Sequence, residues 1–203
     1  MTKQEGDFQI PREERVLQIL TDTLVIQKGH FKLTSGRHSD SYLEKRNLYL
    51  HTQETSELCL MIANDFKDKG VEIVVGPERG GMILACLVAS FLTKMTGKDI
   101  LDIFAQKKAN RFEFHRGQAD LICDRNVLVV DDILTTGGSV KEVINSVKLA
   151  GGSITGLSVL CNRGDVKPKD IGIDRINALV KIKMESWSQA ECGLCKLGEP
   201  TTF

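Results

Sequence analysis

Residues 127–139 read Val-Leu-Val-Val-Asp-Asp-Ile-Leu-Thr-Thr-Gly-Gly-Ser. The apolar run at the start lacks the alternation of a half-exposed strand, which indicates a β-strand buried on both faces, as in a parallel sheet. A Thr/Gly/Ser turn follows and leads into a helical pattern. Backbone N–H groups and hydroxyls at a helix N-terminus form a phosphate-binding site. The stretch therefore predicts a buried strand, a phosphate-binding turn and a helix.

Two acids, Asp131 and Asp132, lie between this strand and the turn. Carboxylates repel phosphate, so their position makes sense if they hold ribose hydroxyls or a divalent cation that bridges sugar and phosphate. Such a site suits a phosphorylated pentose, although an ordinary strand–turn–helix with a solvated acid pair would look similar. A P-loop is excluded because the chain has no G-x-x-x-x-G-K-[ST] string, and a dinucleotide fingerprint would place its acid after the glycines.

The composition restricts the class of protein. The chain has 203 residues, enough for one domain with a sizeable core, and its 27 Lys and Arg residues balance 27 Asp and Glu residues. A formal net charge of zero argues against nonspecific binding of nucleic acid. No apolar run is long enough for a membrane span, and residues 1–15 lack the apolar centre of a signal peptide. Six cysteines in a chain of this length do not indicate a secreted disulfide scaffold, so we expect a cytoplasmic protein without membrane or nucleic-acid partners.

Periodicity along the chain predicts alternating helices and strands. Helices are expected at residues 13–27, 52–69, 82–95 and 139–150, and strands at 71–75, 100–105, 154–160 and 176–184, besides the strand that begins at residue 127. Two short strand-like runs flank a Ser-Gly turn within residues 29–43. The segment 106–126 is polar and poorly periodic. This alternation implies βαβ units and a parallel sheet.

Five ordered motifs carry a resemblance to a known family. Residues 131–139 resemble the phosphoribosyl pyrophosphate (PRPP) signature of the type I phosphoribosyltransferases. Residues 29–43 and 76–81 resemble the early motif and the pyrophosphate turn of the orotate phosphoribosyltransferase family, and residues 159–163 lie where that family keeps a base-contacting Arg. The tail at 191–200 is similar to a bacterial branch with a Cys-x-x-Cys motif.

The resemblance implies a fold and a reaction. The fold class is α/β, with a central parallel sheet flanked by helices and a small N-terminal hood. A single domain would span residues 1–203, with a hood of about 1–50 plus a tail of about 176–203, and a core of about 51–175. The reaction is the Mg²⁺-dependent transfer of the phosphoribosyl group from PRPP to orotate, which gives orotidine 5′-monophosphate and diphosphate in pyrimidine biosynthesis.

The same resemblance assigns site residues. Asp131 and Asp132 would hold the ribose and the hydrated Mg²⁺, and Arg79 would add a charge-assisted bond to diphosphate. The remaining PRPP ligands would be Ile133, Leu134, Thr135, Thr136, Gly137, Gly138 and Ser139, and the orotate ligands Ser35, His38, Thr135 and Arg163. A guanidinium recognises the carboxylate of orotate with paired, planar geometry. Plain turns around Ser35 and Arg79 and a surface role for Arg163 remain open.

The segment 106–118 corresponds to a mobile loop that, in the family, closes over PRPP of the neighbouring subunit, which implies a homodimer. The usual R-K-E-x-K-x-H-G string is absent here. Five cations are candidate diphosphate ligands or proton donors, and which of them act is left open: Lys107, Lys108, Arg111, His115 and Arg116. A solvated charged loop is the alternative for any one of them.

Cys192 and Cys195 have metal-ligand spacing, but one pair is only half of a tetrahedral zinc site, and His30 shows no partner spacing. The other cysteines resemble small core residues. Two other functions remain open at this point. A phosphoribosyltransferase for another base would keep every PRPP element, and a non-catalytic PRPP-sensing regulator would bind PRPP without transfer.

Overall fold

The computed structural model describes residues 10–33, 35–109, 111–115 and 117–202. Arg116, one of the candidate catalytic cations, lies outside the described residues. Among the residues described, no helix combines the length and the apolar character needed to cross a membrane.

The helices and strands alternate through most of the chain. The helices are α1 (Arg12–Asp22), α2 (Thr52–Phe66), α3 (Gly80–Thr96), α4 (Gln118–Ile122), α5 (Gly138–Leu149), α6 (Pro168–Ile171) and α7 (Gly193–Lys196), with a 3-10 helix at Lys45–Leu50. The strands are β1 (Ile26–Lys32), β2 (His38–Leu43), β3 (Ile73–Pro77), β4 (Leu101–Lys108), β5 (Arg111–Glu113), β6 (Asn126–Leu134), β7 (Ser153–Asn162) and β8 (Ile176–Lys181).

Six strands form the central sheet in the order β5-β4-β3-β6-β7-β8. All neighbouring pairs are parallel except β4 and β5, which are antiparallel. Side chains alternate across each strand, so Ile73 and Val75 contact the apolar core around α5, whereas Val74 contacts the core around α2 and α3. The predicted α/β fold with a central sheet flanked by helices is confirmed, and the antiparallel edge strand is an addition to it.

The strand order reverses between β3 and β6. From β3 the chain passes through α3 to β4 on one side, and β6, β7 and β8 then extend the sheet on the other side. Open α/β sheets bind ligands at the carboxyl ends of the strands that flank such a reversal. The segments that leave β3 and β6 are residues 76–81 and 131–139, so the topology brings these two motifs to one crevice.

A second, two-stranded antiparallel sheet is formed by β1 and β2. The C-terminal tail packs on this hairpin through isolated bridges between Phe31 and Thr202 and between His38 and Trp187. Because β8 pairs with β7 in the central sheet, the part of the tail that joins the hairpin starts after Lys181, later than the expected residue 176. The single domain over residues 1–203 stays a prediction.

Two element predictions were wrong in detail. Helix α1 ends at Asp22, before the expected residue 27, because Leu24 adopts a positive φ of 55° and the chain turns into β1. The segment 106–126 contains the end of β4, all of β5 and the short helix α4. Phe112 fixes this hairpin to α5: its side chain is 4 % exposed, and its carbonyl accepts a 2.5 Å hydrogen bond from the Ser146 hydroxyl. One buried aromatic between two charged residues gives no periodic signal.

Candidate active site

The predicted phosphate-binding turn encloses a cavity of about 280 Å³ at the N-terminus of α5; this cavity is called the phosphate cavity. Gly137 caps the helix with a φ of 79°, and a Cβ on this residue would lie 2.8 Å from Ile171. Glycine is therefore needed both for the backbone conformation and for the packing against α6. The cavity brings together these predicted PRPP ligands: Asp131, Ile133, Leu134, Thr135, Thr136, Gly137, Gly138 and Ser139.

The two adjacent acids have different surroundings. Asp131 lines the phosphate cavity. Asp132 is 1 % exposed, and its carboxylate accepts hydrogen bonds from Lys45 Nζ at 3.0 Å and from the Tyr49 hydroxyl at 2.9 Å. A Cβ on Gly80 would lie 2.0 Å from Oδ2 of Asp132, so the start of α3 approaches this carboxylate closely. The arrangement fits a direct ligand role for Asp131 and a tightly held Asp132.

Lys45 is a site residue that sequence reasoning missed. It lines the phosphate cavity together with Asp131 and forms an ion pair with Asp132. The residue precedes its partner by 87 positions, so no local motif links the two. The only sequence feature near Lys45 was the motif at residues 29–43, which ends two positions before it. A cation beside two acids offsets part of their charge, which favours binding of a polyanion.

Burial and neighbouring charges alter the pKa values in this cluster. Burial, reinforced by the negative charge of Asp132, raises the pKa of Asp131 to about 7. Burial opposes the charged form of Lys45, but the attraction of Asp132 outweighs it and leaves the pKa of Lys45 above its usual value. Burial and the nearby carboxylates also raise the pKa of Tyr49, so this hydroxyl remains a donor. A cation bound beside Asp131 would favour its charged form.

The pyrophosphate turn follows β3 and places Arg79 at the N-terminus of α3, where its side chain is exposed. A Cβ on Gly76 would lie 2.0 Å from the carbonyl oxygen of Gly81, so the backbone at the two ends of the turn is in close contact and leaves no room for a side chain at residue 76. The carboxylate of Glu78 accepts a 3.0 Å hydrogen bond from the backbone N–H of Lys107. This bond joins the turn to the end of β4, where the candidate loop begins.

Of the candidate loop cations that the structure describes, Lys107, Lys108 and Arg111 lie on the β4–β5 hairpin and His115 follows it. Lys108 and Arg111 are exposed and face Glu113, at 3.6 Å and 2.7 Å respectively. His115 is exposed, and its backbone N–H donates to the side chain of Gln118. Within one chain, the structure therefore pairs two of the candidate cations with a carboxylate on their own hairpin. Their role in binding diphosphate stays a prediction.

A second cavity, of about 510 Å³, also has Thr135 in its lining. It brings together three of the four predicted orotate ligands, Ser35, Thr135 and Arg163. The backbone N–H of Arg163 donates to the carbonyl of Leu134 at 2.9 Å, which fixes this residue beside the phosphate turn. The other residues that line the cavity are Lys32, Leu33, Tyr42, Glu44 and Arg46. Three cations and one carboxylate leave an excess of positive charge, which suits an anionic base.

The fourth predicted orotate ligand, His38, is located elsewhere. Its ring is buried, and Nδ1 lies 2.8 Å from Nε2 of His30 and 3.3 Å from Sγ of Cys195. It is not among the residues that line the cavity with Arg163. The prediction that His38 lies with the other orotate ligands is therefore corrected. Strand β2 directs the His38 side chain into a cluster with the tail, because alternate residues of a strand face opposite sides.

The donor set near Asp131 fits a hard divalent cation. Mg²⁺ prefers oxygen ligands and is usually bound through one or two carboxylates, water and substrate phosphates. Asp131 supplies a carboxylate beside the phosphate cavity, and Asp132, with both oxygens already in hydrogen bonds, would act through water.

Comparisons with known proteins identify the family of the chain. Residues 40–191 match the model of the phosphoribosyl transferase domain. The chain is 36% identical over 187 residues to the orotate phosphoribosyltransferase of Desulforamulus reducens, covering 92% of this chain and 93% of that protein. It is 37% identical to the orotate phosphoribosyltransferase of Caldanaerobacter subterraneus subsp. tengcongensis, covering 93% and 94% of the two chains.

The fold is shared with solved structures. The crystal structure of Mycobacterium tuberculosis H37Rv orotate phosphoribosyltransferase in complex with Fe(III) dicitrate is similar with a TM-score of 0.66 and 22% sequence identity. The match covers 84% of this chain and 96% of that one.

Proposed function

The chain belongs to the orotate phosphoribosyltransferase family, and we propose from this premise that it is an enzyme that transfers the 5-phosphoribosyl group of PRPP to orotate. The products are orotidine 5′-monophosphate and diphosphate. One observation carries the proposal: the cavity inside the phosphate turn and the cavity lined by Arg163 share Thr135. A ribose 5-phosphate held in the first would present its anomeric carbon toward a base held in the second.

The base cavity supports an acidic pyrimidine. Orotate carries a carboxylate, and Arg163 can pair with it in planar, charge-assisted geometry. Thr135 and Ser35 add hydroxyls on the same cavity. Uracil and the purines lack this carboxylate, so they would leave the positive charge of the cavity without a partner.

The chemistry requires positioning of two anions and stabilisation of a leaving group. The bond from the anomeric carbon to diphosphate breaks and diphosphate leaves with the electron pair. A ring nitrogen of orotate forms the new bond to that carbon, and the proton of this ring N–H passes to diphosphate or to water. Bound Mg²⁺ would supply Lewis-acid stabilisation of charge on diphosphate. Asp131 would bind the ribose and the hydrated cation, the turn at 133–139 the 5-phosphate, and Arg79 the diphosphate. Lys45 holds Asp132 in place.

We propose that the β4–β5 hairpin and the residues that follow it close over bound PRPP. Exclusion of water matters here because hydrolysis of the activated sugar competes with transfer. We propose that Lys107, Lys108, Arg111, His115 and Arg116 include the residues that contact diphosphate in the site of a neighbouring subunit of a homodimer. We also propose that the protein is cytoplasmic and that its partners are PRPP and orotate.

The test is a turnover assay with purified protein, PRPP and one base at a time. Orotate, uracil, xanthine and adenine are compared, with diphosphate and the nucleotide product measured separately and with a chelator as the control for Mg²⁺. We expect turnover with orotate alone, and only when Mg²⁺ is present. Turnover with another base and not with orotate would refute the base assignment, and PRPP binding without diphosphate release for any base would indicate a regulator.

A further inference from the structure

Four side chains with metal-binding atoms meet between the β1–β2 hairpin and the C-terminal tail. They are His30 on β1, His38 on β2, and Cys192 and Cys195 on either side of the start of α7. Their ligand atoms all lie within 4.8 Å of one another. Three of the four residues are buried, and Cys192 is 0 % exposed. Below, this group is called the His/Cys cluster.

The distances within the cluster match a tetrahedral zinc site. Zn–N bonds of about 2.0–2.1 Å and Zn–S bonds of about 2.3 Å place N and S ligands about 3.6 Å apart around a tetrahedral centre. The sulfur of Cys192 lies 3.4 Å from Nε2 of His30, and the sulfur of Cys195 lies 3.6 Å from the same atom and 3.3 Å from Nδ1 of His38. The two nitrogens lie 2.8 Å apart, somewhat closer than a bound ion would hold them.

The second ring nitrogen of His30 has the partner that a metal ligand needs. Nδ1 lies 2.8 Å from the carbonyl oxygen of Glu199, which can only accept a hydrogen bond, so the proton is on Nδ1. This tautomer leaves a lone pair on Nε2, directed at the other three ligand atoms. Zinc-binding histidines typically donate their second N–H to a carbonyl or carboxylate in this way. Glu199 lies on the tail, so the same segment supplies two ligands and orients a third.

We propose that the His/Cys cluster binds one Zn²⁺ ion in a structural site. Two thiolates and two imidazoles form a complete Cys₂His₂ set, and four protein ligands leave no open position for substrate or water. The net charge of two thiolates and Zn²⁺ is zero, which suits a buried location. No member of the cluster lines either of the two substrate cavities.

The site would fix the hairpin that forms part of the base cavity. His30 and His38 flank the turn that carries Ser35, a residue of that cavity. The guanidinium of Arg37 also donates to the hydroxyl of Ser186 at 3.0 Å on the tail. A metal bridge between hairpin and tail would therefore limit motion of the Ser35 turn. This effect on the base cavity rests on the proposed function, whereas zinc binding does not.

The experiment measures zinc in the full-length protein purified from cells grown with zinc. Wild type is expected to contain one zinc ion per chain by mass spectrometry. Cys195→Ser removes a ligand, and the matched control Cys123→Ser removes an exposed thiol outside the cluster. The control should retain its zinc, whereas Cys195→Ser should bind it more than about 100-fold more weakly, because even outer-shell changes cost about 10–100-fold.

Two further measurements keep the test decisive if Cys195→Ser does not fold. Cobalt added to metal-stripped wild type should give the absorption of tetrahedral Co²⁺ with thiolate ligands, and a chelator should lower Tm by roughly 5–10 °C in a way that zinc reverses. Wild type without zinc or a cobalt–thiolate spectrum would overturn the proposal. So would equal zinc content in wild type and Cys195→Ser, or a Cys192–Cys195 disulfide in the native protein.

Discussion

Replacement of Asp131 by Asn should make the protein more stable at neutral pH and should remove part of its pH dependence. Burial, with the charge of Asp132, raises the pKa of Asp131 from 3.8 to about 7 in the folded state. An acid with a raised pKa binds a proton that the unfolded chain has already lost, so the folded state loses stability as the pH rises from about 4 towards 7. Asn has a similar shape and never carries the charge.

The size of this change in stability follows from the pKa shift of Asp131. One pKa unit corresponds to about 1.36 kcal/mol, so the full shift of about three units destabilises the wild type by at most about 4 kcal/mol above pH 7. Between pH 5 and pH 7 the free energy of unfolding of the wild type falls over two of these pH units. The stability advantage of Asp131→Asn over wild type should therefore grow by about 3 kcal/mol from pH 5 to pH 8.

The assay is urea unfolding of both proteins at pH 5 and pH 8, in buffer without Mg²⁺ or substrate. Asp68→Asn is the matched control, because it makes the same chemical change at an exposed position just after α2. A constant difference between wild type and Asp131→Asn across this pH range would refute the reasoning, because it would mean that Asp131 is charged in the folded protein at pH 5.

Three other substitutions test separate parts of the site. Lys45→Met leaves the carboxylate of Asp132 without its cation. Loss of one partner of a buried pair costs about 3–5 kcal/mol, but the Lys45 side chain is 51% exposed and the Tyr49 bond remains. Urea unfolding should therefore show a loss of about 1–3 kcal/mol, and an unchanged midpoint would contradict the importance of the pair. Gly80→Ala places a Cβ 2.0 Å from Asp132 Oδ2, so we expect kcat to fall by at least about 100-fold. Near-normal turnover would show that the carboxylate of Asp132 can move without loss of activity. Arg163→Gln removes a charge-assisted pair worth about 1.5–3 kcal/mol, so KM for orotate should rise by about 10–100-fold while KM for PRPP stays unchanged. An equal rise in both KM values would contradict the assignment of Arg163 to the base.

The phosphate half of the site was predictable because it is local in sequence. The strand, the acid pair and the glycine turn are consecutive at residues 127–139, and each follows from a short-range rule about burial, charge or backbone conformation. The structure places these residues around one cavity at the N-terminus of α5. The sheet itself was predictable for the same reason, since buried strands and helices alternate with clear signals.

The remaining parts of the site depend on contacts between distant residues. Lys45 and Tyr49 reach Asp132 across 87 and 83 positions, and no pattern in the chain links them. In the same way, the spacing of Cys192 and Cys195 gave only half of a metal site. Their histidine partners lie on a hairpin 165 and 157 positions from Cys195, so the fold had to be known before the set of four could be recognised.

The acid pair itself shows why a correct motif can still give an incomplete site. Asp131 and Asp132 are adjacent in sequence and were assigned one shared role with ribose and Mg²⁺. Consecutive residues of a strand face opposite sides of the sheet, so the same covalent neighbours enter different environments. Asp131 lines the phosphate cavity, whereas Asp132 accepts bonds from Lys45 and Tyr49 beside the start of α3. The two acids therefore have separate roles in the proposal: the carboxylate of Asp131 faces the cavity and is free to meet a ligand there, whereas the carboxylate of Asp132 joins the 3-10 helix that carries Lys45 and Tyr49 to the central sheet.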